Sequence, residues 1–215
     1  MSAPFRWMLA AARSSIIWVA LVLWADAAIV RGIHCGLTPA LDEFFDGVSE
    51  LASATVLAGI AMGAWGASHV ALAWPVAGRC SLFWEQARRA SLLMLLTLLT
   101  GGLVTLALKH IVSRARPFML LEHGLYGLAA PFSGAPFNSF PSSHAFAAFA
   151  AAGVLASLLP AWRVPLLALA AAAALCRVLT LEHFPSDVLA SACIAAWCVR
   201  FWVPRVQGAI SNSRS

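Results

Sequence analysis

Charge is what this chain is short of. Only 11% of its 215 residues are Asp, Glu, Lys or Arg, while 61% are hydrophobic. A soluble domain of this length carries about twice that charge, so a water-soluble globular fold is excluded and an integral membrane protein is indicated. The mean hydropathy of +0.84 agrees. CxxC pairs are missing as well. The five cysteines (Cys35, Cys80, Cys176, Cys193, Cys198) have no metal-ligand spacing. They imply neither a zinc site nor a disulfide, and read as small packing residues. There is no internal repeat and no low-complexity tail, only a short polar end over Gln207–Ser215. The formal charge of +5 does not point to nucleic acid, because the basic residues sit in short loops between apolar runs, as the positive-inside rule requires.

A spanning helix needs about 20 mainly apolar residues. Six segments qualify, at roughly 14–32, 51–75, 91–111, 144–160, 163–181 and 186–204. The fold class read from this is all-α: a polytopic membrane protein with six transmembrane helices in one bundle, residues 1–215 forming one domain. Arg6 and Arg13 before an apolar run resemble a signal peptide, but apolar character resumes beyond Ala25-Asp26-Ala27 and the first helix is read as uncleaved. Asp26 is expected near the outer interface or hydrogen-bonded inside the bundle. Leu37–Leu51 carries four acids and an apolar stripe (Leu41, Phe44, Phe45, Val48, Leu51), the pattern of a short amphipathic helix on the outer surface. With alternating passes, Arg6, Arg13, Arg79, Arg88, Arg89, Arg163, Arg200, Arg205 and Arg214 share one side, which should be cytoplasmic.

The little charge that remains is concentrated. KHIVSRARP (Lys109–Pro117), FPSSH (Phe140–His144) and CRVLTLEHFPSD (Cys176–Asp187) hold three histidines beside four cations. Ionisable residues in such a chain are costly and mark a site. Topology brings the three fragments to one membrane face: Lys109–Arg116 at the end of helix three, Ser142, Ser143 and His144 at the start of helix four, Arg177 at the outer end of helix five, His183 and Asp187 at the turn into helix six. Pro117 is expected to stop helix three, Ser142 or Ser143 to cap helix four, and Pro185 to open helix six. Singly, each has a bland account. Lys109 could snorkel, Arg116 or Arg177 could pair with Glu122 or Glu182, His144 could be a buried hydrogen-bonding residue, and Ser142 could be only a cap. Together, cations with a His/Asp pair point to phosphate chemistry. Arg114 lies in the right loop, with lipid headgroups as an alternative partner to a reacting phosphate. His34, His69, His110 and His123 receive no role.

These fragments resemble the signature of the type 2 phosphatidic acid phosphatase superfamily, which includes vanadium haloperoxidases. Its first block, Lys, six residues, Arg-Pro, is matched by Lys109, Arg116 and Pro117. Its second, Pro-Ser-Gly-His, is matched by Pro141, Ser142 and His144, with Ser143 in place of glycine. Its third, Ser-Arg, five residues, His, three residues, Asp, is matched by Arg177, His183 and Asp187, with Cys176 in place of serine. A serine at a glycine position is strained if φ must be positive, and a thiol is a weaker donor than a hydroxyl.

The resemblance implies a catalytic core at about residues 105–190 and a metal-independent lipid phosphatase that needs no cofactor. His183 is then the nucleophile, Asp187 its orienting carboxylate and His144 the acid and base. Lys109, Arg116, Ser142, Ser143 and Arg177 bind the phosphate. The expected partners are the bilayer and a lipid phosphate or pyrophosphate: undecaprenyl pyrophosphate, lipid A 1-phosphate, phosphatidylglycerol phosphate or phosphatidic acid. The phenylalanines of the loop between helices three and four (Phe118, Phe132, Phe137, Phe140) suit an acyl or prenyl chain, or serve simply to pack that loop. The expected location is a bacterial inner membrane, with the site facing the periplasm or exterior. A lipid phosphotransferase using the same histidine and a decayed lipid-binding or transport protein remain alternatives.

Overall fold

The computed structural model describes residues 25–74 and 80–212, with side chains through 207. Most of the expected first pass, with Arg6, Arg13, Arg79 and Arg214, lies outside the described residues. Eight helices follow along the described chain: α1 (25–34), α2 (Pro39–Glu50), α3 (Ala54–Ala73), α4 (Ser81–Val112), α5 (Pro117–His123), α6 (Ser143–Leu158), α7 (Arg163–Leu179) and α8 (Pro185–Asn212). No strand occurs among the described residues; one isolated bridge joins Arg114 to Leu128. The described residues are all-helical, and the chain is a multi-pass membrane protein. Four stretches are long and apolar enough to cross a bilayer: Pro39–Ala73, Ser81–Val112, Pro160–Leu179 and Pro185–Gln207.

The expected fourth pass is the exception. α6 has 16 residues, fewer than the other spans. It is the central post of the bundle, burying Ala145, Phe146, Ala147, Ala148, Ala150, Ala151, Ala152 and Val154 and packing against α4, α7 and α8. Small side chains permit that close approach. A Cβ at Gly101 of α4 would run into the Phe146 ring, and one at Gly153 of α6 would meet Val199 of α8, so both positions need glycine for helix contact.

Leu37–Leu51 does form a separate helix, α2, capped by Thr38 and turned into α3 at Ser53. Its apolar stripe is divided: Leu41 and Phe44 are exposed, while Val48 and Leu51 line an apolar groove against α6 and α7. Where α2 meets α7, Ser49 is buried and Asp46 reaches Arg177.

The end of helix three differs from expectation. Pro117 does not terminate it. α4 stops at Val112, where Ser113 takes a left-handed conformation (φ 44°), and Pro117 instead opens the short α5. Arg114, Ala115 and Arg116 therefore lie in extended chain. The loop beyond is tied back onto them: Ser139 N–H donates to Arg114 O (3.0 Å), Ala115 N–H to Gly127 O (3.0 Å), and Arg116 N–H to Pro136 O (3.2 Å).

Candidate active site

His183 sits in the tight turn between α7 and α8, 3% exposed, its backbone N–H donating to Arg177 O (3.1 Å). Its Nδ1 lies 2.7 Å from the Ser139 carbonyl. A carbonyl only accepts, so Nδ1 carries the proton and Nε2 keeps its lone pair. Burial holds the imidazole well below its ordinary value, at about 4. The Asp187 carboxylate works against that lowering, while Lys109 and Arg116 reinforce it. The histidine is thus neutral near pH 7, the state a nucleophile requires.

Asp187 is 3.9 Å from His183 Nδ1, so its influence on the ring is electrostatic and the direct orienting group is the Ser139 carbonyl. The fully buried Asp187 carboxylate is itself held from several sides. Ser139 Oγ donates to Oδ2 (2.6 Å), Phe184 N–H to Oδ2 (2.9 Å), and Arg114 Nη1 to Oδ1 (2.6 Å). Arg114 then reaches Asp26 Oδ2 at 2.8 Å and Tyr126 Oη at 3.0 Å, and its guanidinium stacks over Phe184 at 4.3 Å. Ser186 joins the same cluster: it accepts from Arg114 Nη1 at 2.6 Å, its N–H donates to Asp26 Oδ1 at 3.0 Å, and its hydroxyl bonds Asp26. Two buried carboxylates share one buried guanidinium, the pairing that makes such charges tolerable.

The other cations gather beside this cluster. Lys109 Nζ donates to Asn138 O (2.7 Å) and Arg116 Nε to Asn138 Oδ1 (2.8 Å). Arg116 and Arg177 both pair with Glu182. Arg177 also donates to Asp46 Oδ1 (2.5 Å) and Ser49 Oγ (3.0 Å) on α2, yet its buried Nε has no acceptor among the described residues. His144 Nε2 lies 3.0 Å from Glu50 Oε2, also on α2. One polar face of α2 therefore touches both His144 and Arg177. Ser142 is the N-cap of α6, accepting from Ala145 N–H at 3.4 Å, and Ser143 is its first residue. Ser143 is not among the described residues with positive φ, so serine is unstrained where the family signature has glycine. Cys176 is buried next to Arg177.

The structure thus brings the three sequence fragments together, and adds residues that sequence reasoning passed over. Arg114 does not face lipid headgroups; it is buried on Asp187. Asp26 is hydrogen-bonded inside the bundle, one of the two placements expected of it. Ser139, Asn138, Tyr126, Glu50 and Asp46 carried no motif. Only the apolar context of Asp26, and the cost of a charge there, signalled a partner. Glu182, rather than Glu122, takes the arginines; Glu122 lies 3.9 Å from His123.

Below this polar layer runs an apolar groove of ≈ 360 Å³ whose walls include Ala148, Ala152 and Leu155 of α6, and Ala173, Ala170 and Leu166 of α7. Helical spacing relates these walls to the site. Ala148 and Ala152 follow His144 at four and eight residues, and Ala173 and Ala170 precede Arg177 at four and seven, so each row shares a helix face with its polar residue.

Residues 90–210 match the family model of the PAP2 superfamily. Over 102 residues the chain is 38% identical to a lipid A 1-phosphatase of Rhizobium johnstonii, covering 47% of this chain and 41% of that protein. It is 37% identical to one of Rhizobium etli, covering 47% and 44%. The matched region is thus less than half the length of these curated relatives. Among solved structures, the chain is similar to a transmembrane PAP2-type phosphatidylglycerolphosphate phosphatase from Bacillus subtilis, with TM-score 0.60, 21% identity and coverage of 93% and 96%. It is also similar to Aquifex aeolicus LpxE, with TM-score 0.55, 23% identity and coverage of 82% and 93%. At these identities the structural matches speak for the fold alone.

Proposed function

The chain belongs to the PAP2 superfamily, and on that premise we propose that it is a membrane lipid phosphatase working through a phosphohistidine. The observation that carries this reading is the His183 ring, held by the Ser139 carbonyl with Nε2 unprotonated and with Lys109 and Arg116 close enough to act on it. Nε2 attacks phosphorus and the bond to the lipid oxygen breaks. His144 gives that oxygen its proton. The cations, the Ser142 hydroxyl and the N–H of Ser143 at the α6 N-terminus stabilise the developing charge on the phosphoryl oxygens. Asp187 stabilises the positively charged imidazole. His144 then takes a proton from water, the water oxygen attacks phosphorus, the P–N bond breaks and inorganic phosphate leaves. The orphaned Arg177 Nε is a ready donor for a phosphate oxygen. Asp46 and Glu182, which hold Arg177 and Arg116, are displaced by the incoming phosphate.

The substrate is a lipid whose phosphate enters the polar layer while a hydrocarbon chain lies in the groove beneath it. The curated relatives favour lipid A 1-phosphate as that lipid. Residues 1–215 form one domain of six passes, the first contributing Asp26 to the site. The site faces away from the cytoplasm of a bacterial inner membrane, because Arg88, Arg89, Arg163, Arg200 and Arg205 lie at the opposite helix ends.

The test is phosphate release by purified protein in detergent with EDTA, on lipid A, undecaprenyl pyrophosphate, phosphatidylglycerol phosphate and phosphatidic acid. Release from wild type and none from His183→Ala is expected. Turnover by His183→Ala close to wild type would sink the assignment of the nucleophile. Consumption of substrate only when a second lipid is present would make the protein a phosphotransferase.

A further inference from the structure

The end of the bundle away from the histidines holds a second cleft. It lies between α6, α7 and α8, has a volume of ≈ 470 Å³, and is lined by Arg163 and Arg200 above an apolar wall that includes Phe149, Gly153, Leu167 and Val199. Arg163 is 14 residues before Arg177 on α7, and Arg200 is 13 residues after Asp187 on α8. At a rise of about 1.5 Å per residue, both lie some 20 Å from the active-site layer and so at a matching depth. That distance separates the cleft from the site already described.

Two other arginines of this face are already engaged. Arg89 is paired with Glu85. Arg205 donates to Phe201 O at 2.6 Å and stacks on the Phe201 ring at 3.6 Å. Arg163 and Arg200 have no hydrogen-bond or ion-pair partner among the described residues, and no acidic residue lines the cleft. Arg163 is moreover the first residue of α7, where a cation opposes the helix dipole. Two unpaired cations over a greasy cleft, at a membrane depth where headgroups lie, are complementary to one thing available there: a phosphate with hydrocarbon attached. Basic pockets between transmembrane helices bind anionic lipid headgroups in this way.

We propose that this cleft is a binding site for an intact anionic phospholipid of the leaflet opposite the active site, its phosphate held between Arg163 and Arg200 and a chain against Gly153 and Val199. Because the cleft joins α6 to α7 and α8, the elements that carry His144, Arg177 and Asp187, an occupant braces the helices that position the site from their far ends.

The experiment uses full-length protein in a neutral detergent, titrated with phosphatidylglycerol, a phosphodiester without a terminal phosphate. Binding is read by native mass spectrometry and by the thermal midpoint. The double variant Arg163→Gln/Arg200→Gln is expected to bind about thirty-fold more weakly. Ala196→Phe, which keeps both charges and fills the cleft, should lose the lipid as well. Arg205→Gln should bind as wild type. Phosphatidylglycerol binding unchanged in both cleft variants would overturn the proposal, as would equal binding of phosphatidylcholine by wild type. An equal loss in Arg205→Gln would also overturn it, because that would be diffuse surface charge rather than a site. A protein that self-associates through this cleft, rather than binding lipid, would show dimers lost in Ala196→Phe with no lipid adducts, and would likewise refute it.

Discussion

Arg114→Gln should damage this protein more than any single change at a surface cation. The Arg114 side chain is 6% exposed, and the two carboxylates it holds, Asp26 and Asp187, are both 0% exposed. Removing the guanidinium strands two buried negative charges. Breaking one partner out of a buried ion pair costs about 3–5 kcal/mol. At about 2–4 °C per kcal/mol for a chain of this size, the thermal midpoint should fall by roughly 6–20 °C. Asp187 also loses the group that anchors its Oδ1, so turnover should fall even at temperatures where the variant is folded. Asp26→Asn is gentler, because Arg114 keeps Asp187; a loss of about 1 kcal/mol, one ordinary hydrogen bond, is expected. Combining the two should recover part of the midpoint lost in Arg114→Gln, since one stranded charge is gone, without restoring turnover. Tryptophan-fluorescence melts in detergent and phosphate-release assays on the four proteins make the cycle. An Arg114→Gln protein melting with wild type and turning over at the wild-type rate would refute the reasoning, because the buried triad would then be dispensable.

Three further outcomes follow. His183 should stay neutral far below pH 6.5: nitrogen NMR of the ring signal that vanishes in His183→Ala should give a midpoint near 4, and a midpoint near 6.5 would mean the ring is not buried. Between those pH values the unfolded chain takes up a proton that the folded one refuses. This contribution to stability is therefore complete above about pH 6.5 and is lost as pH falls towards 4, by roughly 3 kcal/mol. Glu50→Gln should slow cleavage most for lipid phosphates with poor leaving groups, since Glu50 is the residue bonded to His144; an equal effect on an activated aryl phosphate would deny it a part in proton transfer. Ala170→Phe, which fills the apolar groove, should lower kcat/KM about ten-fold or more for long-chain substrates while sparing a short-chain phosphate, and equal activity on both would place the lipid chain elsewhere.

What could be read from the chain alone was what depends on composition and order. Scarcity of charge dictated the bilayer as solvent. Alternation of apolar runs put Lys109, Arg116, Ser142, His144, Arg177, His183 and Asp187 on one face, because passes must return. The spacing of those residues carried the family. None of this needed a neighbour to be known.

The tertiary structure decided the partners. Asp26 meets Arg114 across 88 residues, and Glu50 meets His144 across 94. Such pairs leave no local pattern, because nothing in the chain near Asp26 responds to Arg114. The orienting group of His183 was hidden for another reason. It is the backbone carbonyl of Ser139, and every residue has one, so only the path of the loop could select it. The pairing expected between His183 and Asp187 from their four-residue spacing is a separation of 3.9 Å. The same holds for the face of α2. Its apolar stripe was legible, but not that Asp46 and Glu50 would reach over to Arg177 and His144, which would otherwise stand without partners at the edge of an apolar bundle, where an unpaired polar group is costlier than an exposed leucine.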